Sequence, residues 1–462
     1  MPLTMPRVSI VGLGKLGASM VAAIASRGGE VIGVDVNPDA VAAVAAGRAP
    51  VQETDLDATL AGNVARIRAT LDVGEAVRDS VLTFVIVPTP SDARGAFAFD
   101  AAATAFEAIG HALRSKDTYH VVVLTSTVLP GTTRQALLPI LERASGKRGG
   151  ADFGLCYSPE FIALGSVIRD FLNPDFTLIG EIDDRAGATL EAYYGQVMAN
   201  HAPARRMSIE NAELAKISVN SFVTMKITFA NMLAALCEAI PGADVDVVTH
   251  ALGSDQRIGA KYLTGGLGYG GPCFPRDNVA LAFLARALGT PALGPEATDA
   301  ANGQIPPRVV AKIAPLVPPG GTVGILGLAY KPASHVIEAA QGAALADACA
   351  ARGWRVVAFD PLVAALPQSS GVQVAASASE VVGAADVLVI ATPDPAFLAL
   401  DWTAALSRRP TLAIVDAWRL LRDRIPAGAA SRYHVLGRGP APGADAAAEA
   451  RLAALWIGDP AR

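Results

Sequence analysis

The sequence predicts an α/β protein in which two Rossmann-like, doubly wound domains are joined by a central helical dimerisation domain. Short β-branched runs alternate with helical patterns through about the first 205 residues, and the alternation resumes after residue 320. Between them lies a long, mostly apolar helical stretch, Ile209–Ile240, without proline or glycine. We therefore expect domains at 1–205, 206–305 and 306–440, followed by a tail at 441–462.

The first domain opens with one βαβ unit of about thirty residues. A strand at Val8–Val11 ends in "GLGKLG", a helical pattern covers about 18–26, and a second strand runs over Val31–Asp35. Later runs typical of strands are Val81–Val87, His120–Ser126 and Phe176–Gly180. Helical stretches between these runs predict a mostly parallel sheet with helices on both faces.

The glycines of "GLGKLG" carry the clearest local signal for a ligand. They let the backbone turn tightly and approach a pyrophosphate at the helix N-terminus. A tight strand–helix turn would explain the glycines alone, but the strand, the helix and the terminal Asp35 together favour a dinucleotide. A carboxylate at this place binds the ribose and repels a 2′-phosphate, which favours NAD over NADP. The predicted NAD-binding turn comprises Gly12, Leu13, Gly14, Lys15, Leu16 and Gly17.

Two further loops follow strands of the same predicted sheet, "VPTPSD" (87–92) and "TSTVLPGTT" (125–133). Ligands of open α/β sheets bind beyond the carboxyl ends of the strands. Thr89, Ser126 and Thr127 are therefore candidates to line the cofactor cleft, although each alone is also typical of an ordinary turn.

Polar residues in apolar surroundings give three more candidates. Glu160 lies in "YSPEFIALG", where a surface turn is the simpler explanation. Lys216 and Asn220 are spaced i, i+4 on the long apolar helix and share one of its faces. A lysine on such a face either has a partner or a function, or it extends its ammonium group to the surface.

The second α/β domain is predicted from four further strand-like runs, Gly320–Tyr330, Trp354–Pro361, Ala385–Pro393 and Thr411–Trp418. The last stretch of the chain is rich in alanine, glycine and proline, and we expect a loose tail there.

Cys273 lies in "GYGGPCFPRD" (Gly268–Asp277), whose glycines and prolines predict a loop. A structural thiol usually packs on a helix or strand face. A reactive thiol needs partial exposure and a nearby positive charge, such as that of Arg276. The local sequence leaves both interpretations open.

Composition excludes several classes of protein. The 462 residues carry 43 acidic and 38 basic side chains, a formal charge of −5, which argues against binding nucleic acid by bulk electrostatics. The four cysteines are far apart, so neither a structural zinc site nor a disulfide framework is expected, and we expect no metal. No uncharged apolar run approaches the roughly 18 residues of a membrane helix. We expect a cytoplasmic protein with reduced thiols.

Taken together, these motifs resemble the nucleotide-sugar 6-dehydrogenases, the UDP-glucose dehydrogenase-like group. The resemblance covers about Val8–Arg419 in the expected order. The motifs that carry it are "VGLGKLG", "TSTVLPGTT", "SPEFIALG", "AELAKISVNSFVTMKI", "DQRIGAKYLTGGLGYGGPCFPRD" and "GLAYKP". The fifth is highly specific, because it joins a cysteine, several glycines and a basic–acidic pair.

The resemblance implies two successive oxidations, which convert a C6 alcohol of a sugar nucleotide into a carboxylate and reduce two NAD⁺. By resemblance Cys273 is the nucleophile that forms a thiohemiacetal and then a thioester. Lys216 would stabilise the developing oxyanion, and Asp277 would work with this lysine and a water molecule. Asn220 would hold the sugar, while Thr127 and Glu160 would position the water that accepts the proton.

The resemblance also implies a set of binding residues and a homodimer. Arg276 stands where many relatives have lysine, near the cofactor. Arg257 would reach the substrate nucleotide across the dimer, and Lys331 would meet it from the C-terminal domain. The substrate loops would further contribute Phe161, Tyr262, Gly268 and Tyr269. The apolar stretch Ile209–Ile240 is expected to form the dimer interface.

The chain departs from the family pattern at several positions. Leu164 stands where the family often has glutamate. Ser334–Ala340 replaces "TDD-x-RES", so that Glu338 occupies about the place of an arginine that contacts cofactor or nucleotide in relatives. "DGR" reads Asp416–Trp418, and an arginine follows only at Arg419. Loss of the acid and the arginine together is coherent, because either alone would lack its partner charge.

Two other classes remain in competition. A two-electron dehydrogenase of the 3-hydroxyacid or 6-phosphogluconate type would also combine a dinucleotide fold with a Lys–Asn helix, but it needs neither the cysteine loop nor residues 320–420. A non-catalytic NAD-binding sensor would not need Lys216, Cys273 and Asp277 together. UDP-glucose is the first expectation for the substrate, followed by UDP-N-acetylhexosamines and GDP-mannose.

Overall fold

The computed structural model describes residues 5–367 and 371–456. The chain folds into two compact units, Met1–Val219 and Asn220–Arg462, and the boundary between them falls within one long helix. The three domain boundaries expected from the sequence stay a prediction.

The first unit contains an eight-stranded sheet in the order β3-β2-β1-β4-β5-β6-β7-β8. All neighbouring pairs are parallel except β6 and β7, which are antiparallel. The strands are β1 (Val8–Val11), β2 (Val31–Val34), β3 (Ile67–Thr70), β4 (Leu82–Val85), β5 (Val121–Leu124), β6 (Gly154–Tyr157), β7 (Thr177–Glu181) and β8 (Ala204–Ser208).

Helices cover both faces of this sheet because its central strands are buried throughout and present apolar side chains on either side. The two apolar cores of the unit lie one on each face. Its helices are α1 (Lys15–Ser26), α2 (Pro38–Ala45), α3 (Leu56–Asn63), α4 (Val73–Arg78), α5 (Asp100–Arg114), α6 (Leu138–Ser145), α7 (Val167–Leu172) and α8 (Asp184–Val197).

Helix α9 (Ile209–Ala239) is the long apolar helix that the sequence predicts. Its length and apolar composition would allow it to cross a membrane. One such helix is weak evidence for a membrane protein, because long core helices of other proteins are equally long and apolar. Within this chain only 28% of its most apolar 18-residue window is buried.

The second unit contains a six-stranded, fully parallel sheet in the order β11-β10-β9-β12-β13-β14. The strands are β9 (Thr322–Leu326), β10 (Arg355–Phe359), β11 (Gln373–Val374), β12 (Val387–Ile390), β13 (Ala413–Asp416) and β14 (Tyr433–Val435). The helices are α10 (Val245–Gly253), α11 (Phe274–Ala287), α12 (Leu293–Gly303), α13 (Ile305–Ile313), α14 (Gln341–Ala351), α15 (Ala378–Ala384), α16 (Trp402–Arg408) and α17 (Ala446–Ala454).

The described part of the expected tail, residues 441–456, contains a helix instead of a loose segment, and residues 457–462 lie outside the described residues. Before α17 begins, the carbonyl of Gly437 accepts from the amide of Val245, and the amide of Gly242 donates to the carbonyl of Pro440. The alanines that suggested a tail are also the best helix formers, and Asp445 caps the helix by accepting from the Ala448 amide.

Candidate active site

The turn after β1 is built around two glycines that no other residue can replace. Gly12 has φ +103°, and a methyl group there would lie 2.0 Å from the carbonyl oxygen of Ile86. A methyl group at Gly17 would lie 1.8 Å from the carbonyl oxygen of Gly12. By contrast, a methyl group at Gly14 would have no atom within 4 Å. Gly14 is the N-cap residue of α1, and no side-chain hydrogen bond caps this helix. The helix N-terminus therefore faces open space, which suits a pyrophosphate.

Asp35, directly after β2, is held by this turn. Its Oδ2 accepts from the backbone amide of Leu13 at 2.6 Å, and its Oδ1 accepts from that of Asn37 at 2.9 Å. Leu13 itself is only 1% exposed, so its side chain belongs to the core, while Lys15 and Leu16 are half-buried. The turn thus offers backbone amides and one carboxylate, the set of groups that NAD requires.

Ser126 and Thr89 use their hydroxyl groups to join two loops. Ser126 Oγ accepts from the amide of Val87 at 2.8 Å and donates to its carbonyl at 2.7 Å. Thr89 Oγ1 donates to the carbonyl of Thr127 at 2.8 Å. Both side chains are nearly buried, whereas Thr127 is half-buried. Their contacts with the cofactor stay a prediction.

Glu160 and Lys216 lie together in the first unit. Lys216 Nζ donates to the backbone carbonyl of Glu160 at 2.5 Å and lies 4.5 Å from the ring centroid of Phe161. Burial raises the pKa of the Glu160 carboxyl from 4.5 to about 7, although the positive charge of Lys216 opposes the shift. A carboxyl with such a pKa exchanges protons at neutral pH, as a general base must.

Glu213 is a residue that the sequence analysis missed. It is fully buried on α9, three residues before Lys216, and its carboxylate accepts from the amides of Gly131 at 2.6 Å and Thr133 at 2.8 Å. It therefore anchors the loop that follows Thr127 to the helix that carries Lys216. The carboxylate binds the N-terminus of the π-helical turn Thr132–Leu137, where backbone amides attract an anion.

Cys273 is exposed and is the N-cap residue of α11, so the expected loop ends earlier than the sequence suggests. The correction has a physical reason: Pro275 falls in the first turn of the helix, where a proline ring fits and no amide donor is needed. Arg276 and Asp277 thus lie on a helix rather than in a loop. The positive end of a helix dipole stabilises a negative charge on sulfur.

Asp277 forms the polar centre of this region in the second unit. It is fully buried, and its Oδ2 accepts from Asn220 Nδ2 at 2.6 Å. Its Oδ1 lies 3.4 Å from the guanidinium of Arg276, in a weak ion pair. Asp277 N also donates to the carbonyl of Cys273. One carboxylate therefore connects the predicted sugar-binding amide, a cation and the helical turn that begins with the thiol.

The glycines before Cys273 allow close packing on the rest of the second unit. A methyl group at Gly268 would lie 2.0 Å from Asn302 Oδ1, and one at Gly270 would lie 2.2 Å from the carbonyl oxygen of Ala339. Asn231 of α9, which the sequence analysis also missed, accepts from the Gly266 amide at 2.8 Å and donates to the Leu267 carbonyl. The loop is thus fixed from several sides.

The remaining predicted residues of the second unit have varied surroundings. Tyr269 is 4% exposed and its hydroxyl donates to Asp299, so the side chain faces the interior. Tyr262, with φ +64°, is 52% exposed. Arg257 is exposed and paired with Asp255, and Lys331 lies 5.7 Å from the ring centroid of Tyr330. The contribution of these residues to substrate binding stays a prediction.

Arg419, the displaced arginine, is a structural residue. It has φ +58° and is only 7% exposed. Its guanidinium donates to Asp246 Oδ2 at 2.8 Å and to the carbonyl of Gly265 at 2.7 Å. It connects the segment after β13 to the start of the cysteine loop. Glu338, by contrast, is exposed.

Comparison with known proteins decides the family. Three domain models of the UDP-glucose/GDP-mannose dehydrogenase family match the chain: the NAD binding domain over residues 6–198, the central domain over 210–304 and the UDP binding domain over 324–423. The chain belongs to this family. The expected resemblance, the α/β fold with its two mostly parallel sheets, the NAD cofactor and the nucleotide-sugar substrate are thereby confirmed.

Individual relatives cover most of the chain. UDP-glucose 6-dehydrogenase AglM of Haloferax volcanii is 37% identical over 403 residues, 85% of this chain and 93% of that protein. GDP-mannose 6-dehydrogenase of Pseudomonas aeruginosa is 33% identical over 416 residues, with 85% and 93% coverage. The structure of a UDP-glucose dehydrogenase from Pyrobaculum islandicum matches with a TM-score of 0.82 and 31% identity, covering 94% of this chain and 98% of that one. This family member is an NAD-dependent nucleotide-sugar dehydrogenase.

Proposed function

We propose that the enzyme oxidises UDP-glucose at C6 to UDP-glucuronate and reduces two NAD⁺ in the process. A relative that is 37% identical over 85% of this chain carries the name UDP-glucose 6-dehydrogenase, and a solved structure at 31% identity is that of a UDP-glucose dehydrogenase. GDP-mannose is the second candidate substrate, supported by the GDP-mannose 6-dehydrogenases at 32–33% identity. UDP-N-acetylhexosamines complete the set to be tested.

In the first oxidation a C6 alcohol loses a proton and a hydride and becomes an aldehyde. NAD⁺, held by the turn after β1, would supply the hydride acceptor for each of the two oxidations. Glu160, through a water molecule that Thr127 helps to hold, takes the alcohol proton, because its raised pKa matches neutral pH. Lys216 stabilises the negative charge that develops on the C6 oxygen. Asn220 holds the sugar.

In the second oxidation Cys273 attacks the aldehyde. A bond forms between sulfur and C6, and the carbonyl electron pair moves to oxygen, which gains a proton and gives a thiohemiacetal. Loss of that proton and a second hydride gives a thioester. Water then adds to the thioester, Asp277 assists its deprotonation, and the carbon–sulfur bond breaks to release the acid and the thiolate. Two hydrides thus leave C6 for each acid formed.

The observation that carries this proposal is the placement of Cys273. Its thiol is exposed at the N-terminus of α11, four residues before the buried Asp277. The other three cysteines are buried, and burial raises the pKa of Cys156 and Cys349. A helix N-terminus and exposure are the conditions under which a thiol acts as a nucleophile.

The decisive experiment measures NADH and acid formed from each candidate sugar nucleotide. Wild type should give two NADH per acid, together with a transient sugar adduct on Cys273 in mass spectra of single turnovers. Cys273→Ala should still support the first hydride transfer but form little acid, and Cys273→Ser should stall or hold an ester. Wild-type turnover and stoichiometry in Cys273→Ala would show that the thiol is structural.

We also propose a homodimer that forms through one face of α9. Apolar side chains on this face are 44–62% exposed in the single chain, at Phe222, Met225, Phe229, Met232 and Leu236. They recur at intervals of three and four residues, the spacing of a helix–helix seam. Phe229→Asp should convert the dimer into a monomer by light scattering. In the dimer, Arg257 would reach the nucleotide bound to the partner subunit.

We further propose that this enzyme acts in the cytoplasm without a membrane, a metal ion or nucleic acid. On the side of α9 away from these apolar residues, Thr224, Asn231 and Ala234 are buried within the chain, which favours a protein-binding over a lipid-binding helix. Among residues 5–367 and 371–456 there is no group of three possible metal ligands. Full activity after dialysis against EDTA and recovery in the membrane-free fraction would agree with this proposal.

A further inference from the structure

Tyr269, four residues before Cys273, is held by both its side chain and its main chain. The hydroxyl donates to Asp299 Oδ1 and accepts from Asn278 Nδ2 at 3.1 Å. The backbone amide donates to Asn302 Oδ1 at 3.0 Å, and the backbone carbonyl accepts from Asn302 Nδ2 at 3.0 Å. Few residues in a glycine-rich loop are fixed so completely, since glycine leaves the backbone free to move.

The groups that hold Tyr269 come from two helices. Asp299 and Asn302 are three residues apart on α12, so they share one face of that helix. Asn278 belongs to the first part of α11 and is fully buried. Its Nδ2 also donates to Asp299 Oδ1 at 2.8 Å, and its Oδ1 accepts from the hydroxyl of Thr224 at 3.1 Å. Every polar atom of the Asn278 side chain is therefore used.

The clamp, defined as Asn278, Asp299 and Asn302, reaches the thiol by two routes. Asn278 lies five residues beyond Cys273, on the helix that begins next to it. Phe274, the neighbour of Cys273, packs edge-on against the Tyr269 ring with centroids 6.3 Å apart. The position of Tyr269 thus fixes both the loop that precedes Cys273 and the ring of Phe274 that follows it.

We propose that this clamp positions Cys273 for attack on the aldehyde, so that Tyr269, Asn278, Asp299 and Asn302 are positioning residues for the second oxidation. The inference rests on the proposed role of Cys273. A nucleophile displaced by about 1 Å loses on the order of 100-fold in rate. The first oxidation needs no bond to sulfur, so it is insensitive to the clamp. An aldehyde that is not captured has time to leave.

The test compares Tyr269→Phe with Tyr433→Phe. Both variants lose one tyrosine hydroxyl that donates to an aspartate in the second unit, but the Tyr433–Asp416 pair, at 2.8 Å, lies beside β13 and β14 rather than at the cysteine loop. We measure NADH per acid, free aldehyde captured by a hydrazine reagent, and the rate at which iodoacetamide alkylates Cys273. Because these readouts are ratios or rates per folded molecule, a loss of stability alone does not change them.

For Tyr269→Phe we expect more than two NADH per acid, captured aldehyde, and acid formation slowed about tenfold. The first hydride transfer is compared in a variant of Asp299, which is not a predicted substrate contact, and there it should stay within about threefold of wild type in a single turnover. The alkylation rate should change as well. Tyr433→Phe should match wild type in all of these. Asp299→Ala is the second variant, and it replaces Tyr269→Phe if that protein does not fold. It removes the oxygen that accepts from both Tyr269 and Asn278, so we expect the same gain in NADH per acid and in captured aldehyde.

Two results separate the inference from the proposed function. If Cys273→Ala stalls but both clamp variants keep two NADH per acid without captured aldehyde, the clamp is only structural and this inference is wrong. If Cys273→Ala itself keeps wild-type turnover and stoichiometry, the proposed role of the thiol is wrong.

Discussion

The two sheets of this molecule contain the same turn, used for different purposes. In the first sheet Gly12 follows β1 with φ +103°, and in the second Gly327 follows β9 with φ +102°. A methyl group at Gly342 would lie 2.2 Å from the carbonyl oxygen of Gly327, as one at Gly17 would lie 1.8 Å from that of Gly12. Each turn thus has one glycine for its conformation and one for close approach of a helix.

An aspartate completes the likeness. Asp35 directly follows β2, and Asp360 directly follows β10. Each accepts a hydrogen bond from the amide of the residue next to its turn glycine, Leu13 or Leu328. Asp360 Oδ2 also accepts from the Ala329 amide at 2.9 Å. Both halves of the molecule therefore use the plan of a dinucleotide-binding sheet.

The difference lies in the segment between the two glycines. Five positions separate Gly12 from Gly17, and α1 starts inside that turn with its N-terminus open. Fifteen positions separate Gly327 from Gly342, and this longer segment folds back on the cysteine loop: the carbonyl of Glu338 accepts from the Gly271 amide at 2.9 Å. One sheet keeps its turn open for a cofactor, while the other fills the same place with a support for the thiol.

The largest effects are expected from alanine at the two turn glycines. In Gly12→Ala and Gly327→Ala the new methyl group meets the backbone or the Thr392 side chain, and φ is unfavourable for alanine. Each should lower the free energy of unfolding by about 3 kcal/mol or more, seen as a fall of about 6 °C or more in the thermal midpoint. Only Gly12→Ala should also raise the KM for NAD. If both variants raised the KM for NAD equally, the conclusion that only the first turn is open to the cofactor would be wrong.

The two aspartates should separate stability from cofactor choice. Asp360 is 6% exposed and accepts three amides, from Leu328, Ala329 and Leu362, so Asp360→Asn should lose one acceptor and about 1–3 kcal/mol of stability. Asp35→Asn should instead raise the relative use of NADP⁺ by about tenfold, because the repulsive charge is gone. Chemical denaturation and initial rates with both cofactors measure the two effects. If Asp360→Asn changed the preference between NAD⁺ and NADP⁺, the purely structural role of Asp360 would be wrong.

The pH profile should follow Glu160, which comes after β6 of the first sheet. Its pKa of about 7 lies above the ordinary value, so the carboxylate that accepts a proton is lost as pH falls through 7. We expect kcat/KM to fall about tenfold per pH unit below 7. Glu160→Gln should be slow and nearly independent of pH over this range. Initial rates of NADH formation between pH 5.5 and 8.5 measure this, and an inflection that persists in Glu160→Gln would assign it to another group.

The same carboxyl gives an independent check on stability. A folded-state pKa above the unfolded value means that the native protein binds this proton more tightly, so the carboxyl destabilises the fold as pH rises from about 4.5 through 7. Glu160→Gln should therefore be more stable than wild type at pH 8, and the difference should vanish near pH 4. Lys216 donates to the backbone carbonyl of residue 160, which the substitution keeps.

Features encoded in short stretches of sequence were predictable. The turn at Gly12, Asp35 and helix α9 all follow from local patterns of glycine, charge and apolar residues. The second turn escaped notice because fifteen positions separate Gly327 from Gly342, which removes the familiar spacing. Strand β3 alternates polar and apolar residues weakly, and the sequence analysis did not identify it.

The support of the candidate site was not predictable from local patterns. Glu213 binds amides about 80 residues earlier in the chain, and Asn231 binds a loop 35 residues later. Neither residue has a neighbour in sequence that marks it. The N-terminus of α11 was masked by Pro275, which resembles a helix breaker unless it falls in the first turn. Such contacts depend on topology, which single-residue patterns do not reveal.

The smallest effect is expected from Gly14→Ala, and it tests the openness of the first turn directly. Gly14 has φ −70°, a value that any residue adopts, and a methyl group there meets nothing within 4 Å. The thermal midpoint should stay within about 1–2 °C of wild type, because the cost of about 1 kcal/mol for alanine at an N-cap is largely offset by the lower entropy of the unfolded chain.

The methyl group would nevertheless occupy the space in front of the helix N-terminus, where a pyrophosphate approaches the backbone closely. We therefore expect the KM for NAD to rise about threefold to tenfold, with the KM for the sugar nucleotide unchanged. Gly383→Ala is the matched control: this glycine on α15 of the second unit is also open, with nothing within 4 Å of the added methyl group. It should leave both KM values at wild-type levels. If Gly14→Ala binds NAD as tightly as this control, the cofactor does not approach the turn, and the first sheet is no more a dinucleotide platform than the second.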